Sequence, residues 1–349
     1  MKTKVIKLKE ENLDKDIIKE AGQMIKEGGI VAFPTETVYG LGANALDAEA
    51  VKKIFIAKGR PQDNPLIVHV ANSSIEKYVK KVPQVAKNIM KKFWPGPITI
   101  ILEKSDIIPD VTSASLSTIG IRMPKNEIAK ELIELSGVPI AAPSANISGR
   151  PSPTDITSCV EDLDGKVDCI LGGESSIVGV ESTIVDCTVN PICILRPGAI
   201  TLEMLREIDH KVYIDPVIME KPTKDFKPKA PGMKYRHYAP KAPVKIIDGE
   251  IDKIVEKINE IVLNYKEQGK TIGIMATDET INEYNSDFKF NLGSRENLEE
   301  VSRNLFHTLR EFDSLNVDLI LCEAFEEKGI GTAIMNRLKK SAGFDILKV

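Results

Sequence analysis

Residues 33–70 read FPTETVYGLGANALDAEAVKKIFIAKGRPQDNPLIVHV, and the way this run leaves a sheet decides the fold. An apolar strand, Ile30 to Phe33, stops at Pro34, so Thr35, Glu36 and Thr37 crown a strand end. Strand ends are where α/β proteins bind ligands. Gly40 and Gly42 bring backbone amides close to whatever lies there, and Asp47 caps a helix with Val51, Ile54 and Phe55 at helical spacing. The helix ends at Lys58, and Arg60 follows two residues on, just before Pro61 and Asn64. A compact ammonium beside a bidentate guanidinium suits a polyphosphate. Taken alone, the two cations could equally complement a helix C-terminus, worth about 1 kcal/mol or less. The GLG triplet has neither the spacing of a P-loop nor that of a dinucleotide fold, so the specificity lies in the whole run.

Working outward, 349 residues with 42% hydrophobic and 28% charged side chains fit two soluble domains with sizeable cores. A formal charge of -4 argues against a protein that coats nucleic acid. The opening MKTKVIKLKEENLDKD has no apolar core of a signal peptide, and no run approaches the ~18 apolar residues of a membrane span, so a cytoplasmic location is expected. Cys159, Cys169, Cys187, Cys193 and Cys322 form no C-x-x-C pair and read as reduced core residues. His69, His210, His237 and His307 are too scattered for a zinc site, and no metal site built by the protein alone is expected.

The first domain opens with a helix over 16–26, ended by Gly28-Gly29, then a strand. Further strands are expected at 66–70, 98–102, 118–122, 139–142, 168–171, 182–186 and 192–195, with helices near 84–93, 127–136 and 154–162. Trp94-Pro95-Gly96-Pro97 reads as a stiff corner. Thr118 and Arg122, four apart on a strand, share a face, and a buried arginine there needs an anionic partner. The strand ending at Ala142 runs into Pro143, Ser144 and Asn146, whose hydroxyl and amide suit phosphate or ribose or else form a turn.

From Asp215 to Pro243 prolines recur, and between Lys221 and Lys241 Asp225 is the only acid among many cations. This predicts an extended basic linker in which Tyr235, His237 and Tyr238 pack on something. Beyond it VKIIDG, TIGIMAT, FKFNLG and VDLILCEAF alternate with helices over 250–266, from Ser294 to about Leu315 and after Gly331. That predicts a small doubly wound, Rossmann-like domain. GIGTAIMNR could place an anion at a helix N-terminus or simply pack a helix on the sheet.

The runs PTETVYGLG, KGRPQDNPL, PSAN and GVESTIVD together resemble the YrdC-like family of L-threonylcarbamoyladenylate synthases in its long two-domain form. The resemblance covers nearly the whole chain. It implies a twisted mixed-sheet YrdC-like domain over 1–215 and an α/β domain over 244–349. The linker between them, 216–243, is expected to act as a lid because PGMKYRHYAP puts Tyr235, Arg236 and His237 in a basic segment able to fold back. It implies that L-threonine, bicarbonate and ATP are joined into threonylcarbamoyl-AMP with release of pyrophosphate, for modification of a tRNA adenosine beside the anticodon. By the same resemblance Lys58, Arg60, Ser144 and Asn146 form the catalytic K-x-R and S-x-N set. Asn64, Thr118, Ser152 and Arg196 join Arg60 and Ser144 on ATP, while Thr37, His69, Arg122, Ala142 and Ser182 meet threonine. Tyr235, in the basic segment of the linker, is expected to reach ATP by folding back. Mg2+ is expected to arrive with ATP, and the product to pass to the tRNA threonylcarbamoyl transferase complex. Neither stable nucleic-acid binding nor membrane association is expected. Two other readings remain at this point: an RNA-binding or ribosome-maturation module using a basic concave sheet, and a carbamoyltransferase of the hydrogenase-maturation type. The latter would bring zinc-finger cysteines and further domains.

Overall fold

The computed structural model describes residues 2–9, 11–220, 228, 230–231, 233 and 237–349. The chain divides into two compact units, Met1–Ser148 with Ser152–Lys234, and Gly149–Pro151 with Tyr235–Val349.

The first unit is built on a mixed sheet of eleven strands. Across the sheet they run Lys4–Lys7, Cys169–Gly172, Val31–Phe33, Gly40–Asn44, Ile140–Ala142, Ile67–His69, Thr118–Arg122, Ile98–Glu103, Thr183–Asp186, Cys193–Arg196 and Tyr213–Ile214. The expected strands and the helices Gln84–Phe93, Glu127–Ser136 and Ile156–Leu163 all form, with ends shifted by a residue or two. The helix Ala48–Lys58 is capped by Asp47, whose side chain accepts from the Glu49 and Ala50 amides, and it ends at Gly59 with φ +60. Lys15–Lys26 and Glu127–Ser136 cover one face of the sheet through Ile18, Ile25, Ile128 and Leu132, packed on Val31, Phe33 and Ile140.

Three expectations are corrected. The chain opens with a strand rather than a helix: Lys4–Lys7 pairs in parallel with Cys169–Gly172 at the sheet edge, where its polar side chains stay in water. The GLG triplet is a strand, Gly40–Asn44, rather than a ligand-cradling turn. A Cβ on Gly42 would lie 2.6 Å from Ile140 Cγ2 and 2.8 Å from Phe33 Cε1, so the missing side chain makes room for the neighbours' packing. The proline-rich stretch also contains regular structure, a 3-10 turn Pro216–Met219 capped by Asp215. Ile218, Ala230 and Met233 are buried in a cluster with Ile67, Ile101, Ile184 and Leu195, so part of this stretch covers the sheet of the first unit.

The second unit has five parallel strands in the order Phe288–Asn291, Ile272–Ala276, Leu319–Glu323, Val244–Asp248 and Ile346–Lys348. The helix Ile251–Glu267 lays Ile254, Ile258 and Val262 on Ile247, Ile274 and Leu321. Tyr238 stacks on Phe306 with ring centroids 5.0 Å apart, the packing expected of this aromatic in the linker. Glu323 is fully buried and accepts from Tyr284 Oη at 2.6 Å, Arg295 NH2 at 2.9 Å and the hydroxyls of Thr277 and Thr280. At Gly331 a Cβ would collide with the Glu326 carbonyl, so this glycine of GIGTAIMNR serves close packing.

Candidate active site

Register places the first group of site residues. His69 lies opposite Arg122 in the parallel pair Ile67–His69 with Thr118–Arg122, and Arg122 lies opposite Thr99 in the antiparallel pair with Ile98–Glu103. The three side chains therefore stand in one row on one face. Arg122 is 4% exposed and its NH1 donates to Thr37 Oγ1 at 2.9 Å. Thr37 Oγ1 is in turn 2.8 Å from Thr35 Oγ1. The anion that a buried arginine requires comes from the protein itself: Glu36 Oε1 sits 2.8 Å from Arg122 NH2. On the other side of the row Thr99 Oγ1 is 2.8 Å from Ser182 Oγ, and Arg196 donates to Ser182 through NH2 to Oγ at 3.1 Å and Nε to the carbonyl at 2.9 Å. Arg196, assigned to ATP in the sequence reading, is thus bonded to Ser182, assigned to threonine.

His69 is buried, with Nδ1 3.2 Å from the Ile67 carbonyl and its ring edge-on to Phe33 at 6.2 Å. Burial, and secondarily the Arg122 guanidinium, push its pKa down to about 3. It is a neutral hydrogen-bonding ring at physiological pH. Ala142 ends the strand beside it, with Ile67 as its register partner.

The second group gathers at the end of Ala48–Lys58. The Lys58 ammonium is 1% exposed and donates to the carbonyls of Ser144, at 2.5 Å, and Asn146. Ser144 Oγ donates to Asn146 Oδ1 at 2.6 Å, and Asn146 Nδ2 to the Ile147 carbonyl at 2.8 Å. Half-buried Arg60 reaches the carbonyls of Asn64 and Pro65 at 3.4 and 3.3 Å. Asn64 is buried, and its Oδ1 has no hydrogen-bond partner among the described residues. Ser152 donates to Glu181 Oε1 at 2.6 Å. A β-bridge from Gly40 to Ser144, and the pairing of Gly40 with Phe33, connect this group to the strand end that precedes Thr35.

Thr118 lines a shallow hollow on the same sheet face together with Pro65, Ile67, Thr99, Gly120, Ile184 and Pro231. A Cβ on Gly120 would stand 3.0 Å from Thr99 Cγ2, so the glycine keeps this hollow open. Tyr235 lies outside the described residues. Among the described residues no group of three or more His, Cys, Asp or Glu side chains is arranged to hold a metal ion, and no helix is long and apolar enough to cross a membrane. Sequence reasoning missed Thr99 and the partners of Glu36. Thr99 carried a signal, a hydroxyl in the apolar strand ITIIL, whereas the Glu36 to Arg122 pairing joins residues far apart in the chain.

A family model described as Telomere recombination, Sua5_yciO_yrdC, matches residues 23–198, and one described as Threonylcarbamoyl-AMP synthase, C-terminal domain, matches residues 200–343. A threonylcarbamoyl-AMP synthase of Pyrococcus abyssi is 49% identical over 340 residues, 97% of this chain and 98% of the relative. One of Bacillus subtilis is 44% identical over 333 residues, 95% of this chain and 94% of the relative. The crystal structure of P. abyssi Sua5 complexed with L-threonine superposes with a TM-score of 0.94 at 48% identity, covering 99% of this chain and 100% of that one. With both modules matched and relatives this similar over nearly its whole length, the chain belongs to the threonylcarbamoyl-AMP synthase family.

Proposed function

We infer that the chain synthesises L-threonylcarbamoyl-AMP from L-threonine, bicarbonate and ATP, releasing pyrophosphate, and so supplies the activated donor for tRNA modification beside the anticodon. The observation that carries this reading is the pairing of a buried, hydroxyl-lined arginine at a strand end with the interlocked K-x-R and S-x-N turns. A carboxylate of a small amino acid suits the first, a nucleoside triphosphate the second.

The threonine nitrogen takes up bicarbonate with loss of water, and the resulting carbamate oxygen attacks the α-phosphorus of ATP as pyrophosphate leaves. The barrier is one of positioning weak nucleophiles and stabilising charge. Arg122 would hold the substrate carboxylate, with Thr37, Ser182 and neutral His69 fixing the remaining polar atoms. Arg60 would meet the phosphates, while Lys58 holds the Ser144–Asn146 turn in shape and adds positive potential. Asn64, Thr118, Ser152 and Arg196 would orient the nucleotide. Mg2+ would be held largely by the phosphate oxygens, with a side-chain oxygen such as the Ser144 hydroxyl beside it, since among the described residues no acidic cluster is arranged to hold a metal, and it would supply charge to neutralise the departing pyrophosphate. Tyr235 and the 216–243 segment would close over the reactive carbamate and mixed anhydride, which water destroys. Such a product needs rapid consumption, which supports delivery to the tRNA threonylcarbamoyl transferase complex.

The test is pyrophosphate release by the full chain, with threonine, bicarbonate and ATP each omitted in turn. Release only with all three supports the reading, and ADP formation, or equal use of serine and glycine, opposes it.

A further inference from the structure

We propose that Glu36 is a positioning residue that sets the Arg122 guanidinium for the substrate carboxylate, an inference that rests on the function proposed above. Glu36 is buried in the P-T-E-T turn. Its Oε2 accepts from the Lys125 and Asn126 amides at 3.1 and 3.4 Å, and Asn126 is the N-cap of the helix Glu127–Ser136. That anchor fixes the carboxylate independently of Arg122. Oε1 then contacts Arg122 NH2 at 2.8 Å while Thr37 holds NH1, so the guanidinium is gripped at two nitrogens.

Three atoms at this contact have no aligned hydrogen-bond partner among the described residues: Glu36 Oε1, Arg122 NH2 and Arg122 Nε. The contact is therefore one of charge rather than a directed bidentate bond. Nε and NH2 form the edge of the guanidinium that takes a carboxylate two-handed. A purely structural buried pair would be expected to satisfy that edge, because each buried donor without a partner is costly. Glu36 compensates the buried cation and fixes its plane through a contact off the NH2 donor axis, while Nε has no partner among the described residues, so this edge keeps hydrogen-bonding capacity for a substrate carboxylate. The neighbours on either side, His69 and Thr99, carry no charge that could do this.

Glu36→Gln separates the two roles. Its amide oxygen can keep the Lys125 and Asn126 bonds, which turns its NH2 toward the guanidinium and removes the charge contact. In pyrophosphate-release assays on the full chain, E36Q should raise the threonine KM by about tenfold or more while the ATP KM stays at the wild-type value. E36D, which keeps the charge, should recover most of the loss. Arg122→Lys should mask Glu36, so that R122K and the double variant R122K/E36Q share one threonine KM. An unchanged threonine KM in E36Q, an equal rise in both KM values, or a full additional loss on top of R122K would overturn the proposal. If E36Q does not fold, E36A, which also removes the charge, is read against R122K/E36A in the same way. Should wild-type protein fail to turn over threonine, the function is wrong, and calorimetric threonine binding by wild type and E36Q then decides the role of Glu36 by itself.

Discussion

Lys58 Nζ donates to the backbone carbonyl of Ser144 at 2.5 Å, and the same ammonium holds the carbonyl of Asn146. The K-x-R and S-x-N turns, distant in sequence, are thereby a single structure. Two of the three ammonium protons are committed to this turn, which leaves Arg60 as the more exposed cation of the pair.

Lys58→Met should therefore cost stability as well as activity. Two buried carbonyls lose their donor, and a loss of about 2 to 5 kcal/mol is expected from urea unfolding. Lys58→Arg should not restore the ATP KM, because a planar fork cannot replace a compact ammonium between two carbonyls.

Arg60→Ala and Arg122→Ala should separate the two substrates. Arg60→Ala should weaken ATP use and Arg122→Ala chiefly threonine use, each by ~2 to 5 kcal/mol in kcat/KM. Arg122→Ala also strands the Glu36 carboxylate, so both variants are checked by circular dichroism before titration. A variant that impairs both substrates equally would undo the assignment.

His69 makes stability depend on pH. Its folded pKa of about 3 lies below the ordinary 6.5, so as pH falls through this window the unfolded chain binds a proton that the folded chain refuses. Stability should drop by up to about 1.4 kcal/mol per pH unit from this residue alone. His69→Gln, uncharged throughout, should flatten the difference between urea midpoints measured at about pH 7 and about pH 5.

Much of this was legible in residues with local signals. Asp47 capping a helix that closes on Gly59, and the alternation that puts Thr118 and Arg122 on one face, need only neighbouring positions. The Gly40–Asn44 strand was hidden because its glycines answer to Phe33 and Ile140, not to a turn. Lys4–Lys7 was hidden because an exposed edge strand keeps polar side chains. The Glu36 to Arg122 pair and the Thr99 to Ser182 bond depend on strand order, which spacing along the chain does not reveal.

The packing of Ile218 and Met233 against Ile67 and Leu195 bears on truncation. Ile218→Ala should cost about 2 to 5 kcal/mol, the usual range for a buried isoleucine, whereas a solvated tether would tolerate it without change. If residues 220–240 close over substrates, ATP with threonine should slow protease cleavage there. Equal cleavage with and without ligands would leave this segment a tether.

The central claim is tested most directly with ¹³C-bicarbonate, threonine and ATP, reading the nucleotide product by mass spectrometry at early times. The expected product is threonylcarbamoyl-AMP carrying the label in its carbamoyl carbon, formed in step with pyrophosphate. An unlabelled threonyl-AMP, or ADP in place of pyrophosphate, would contradict the account.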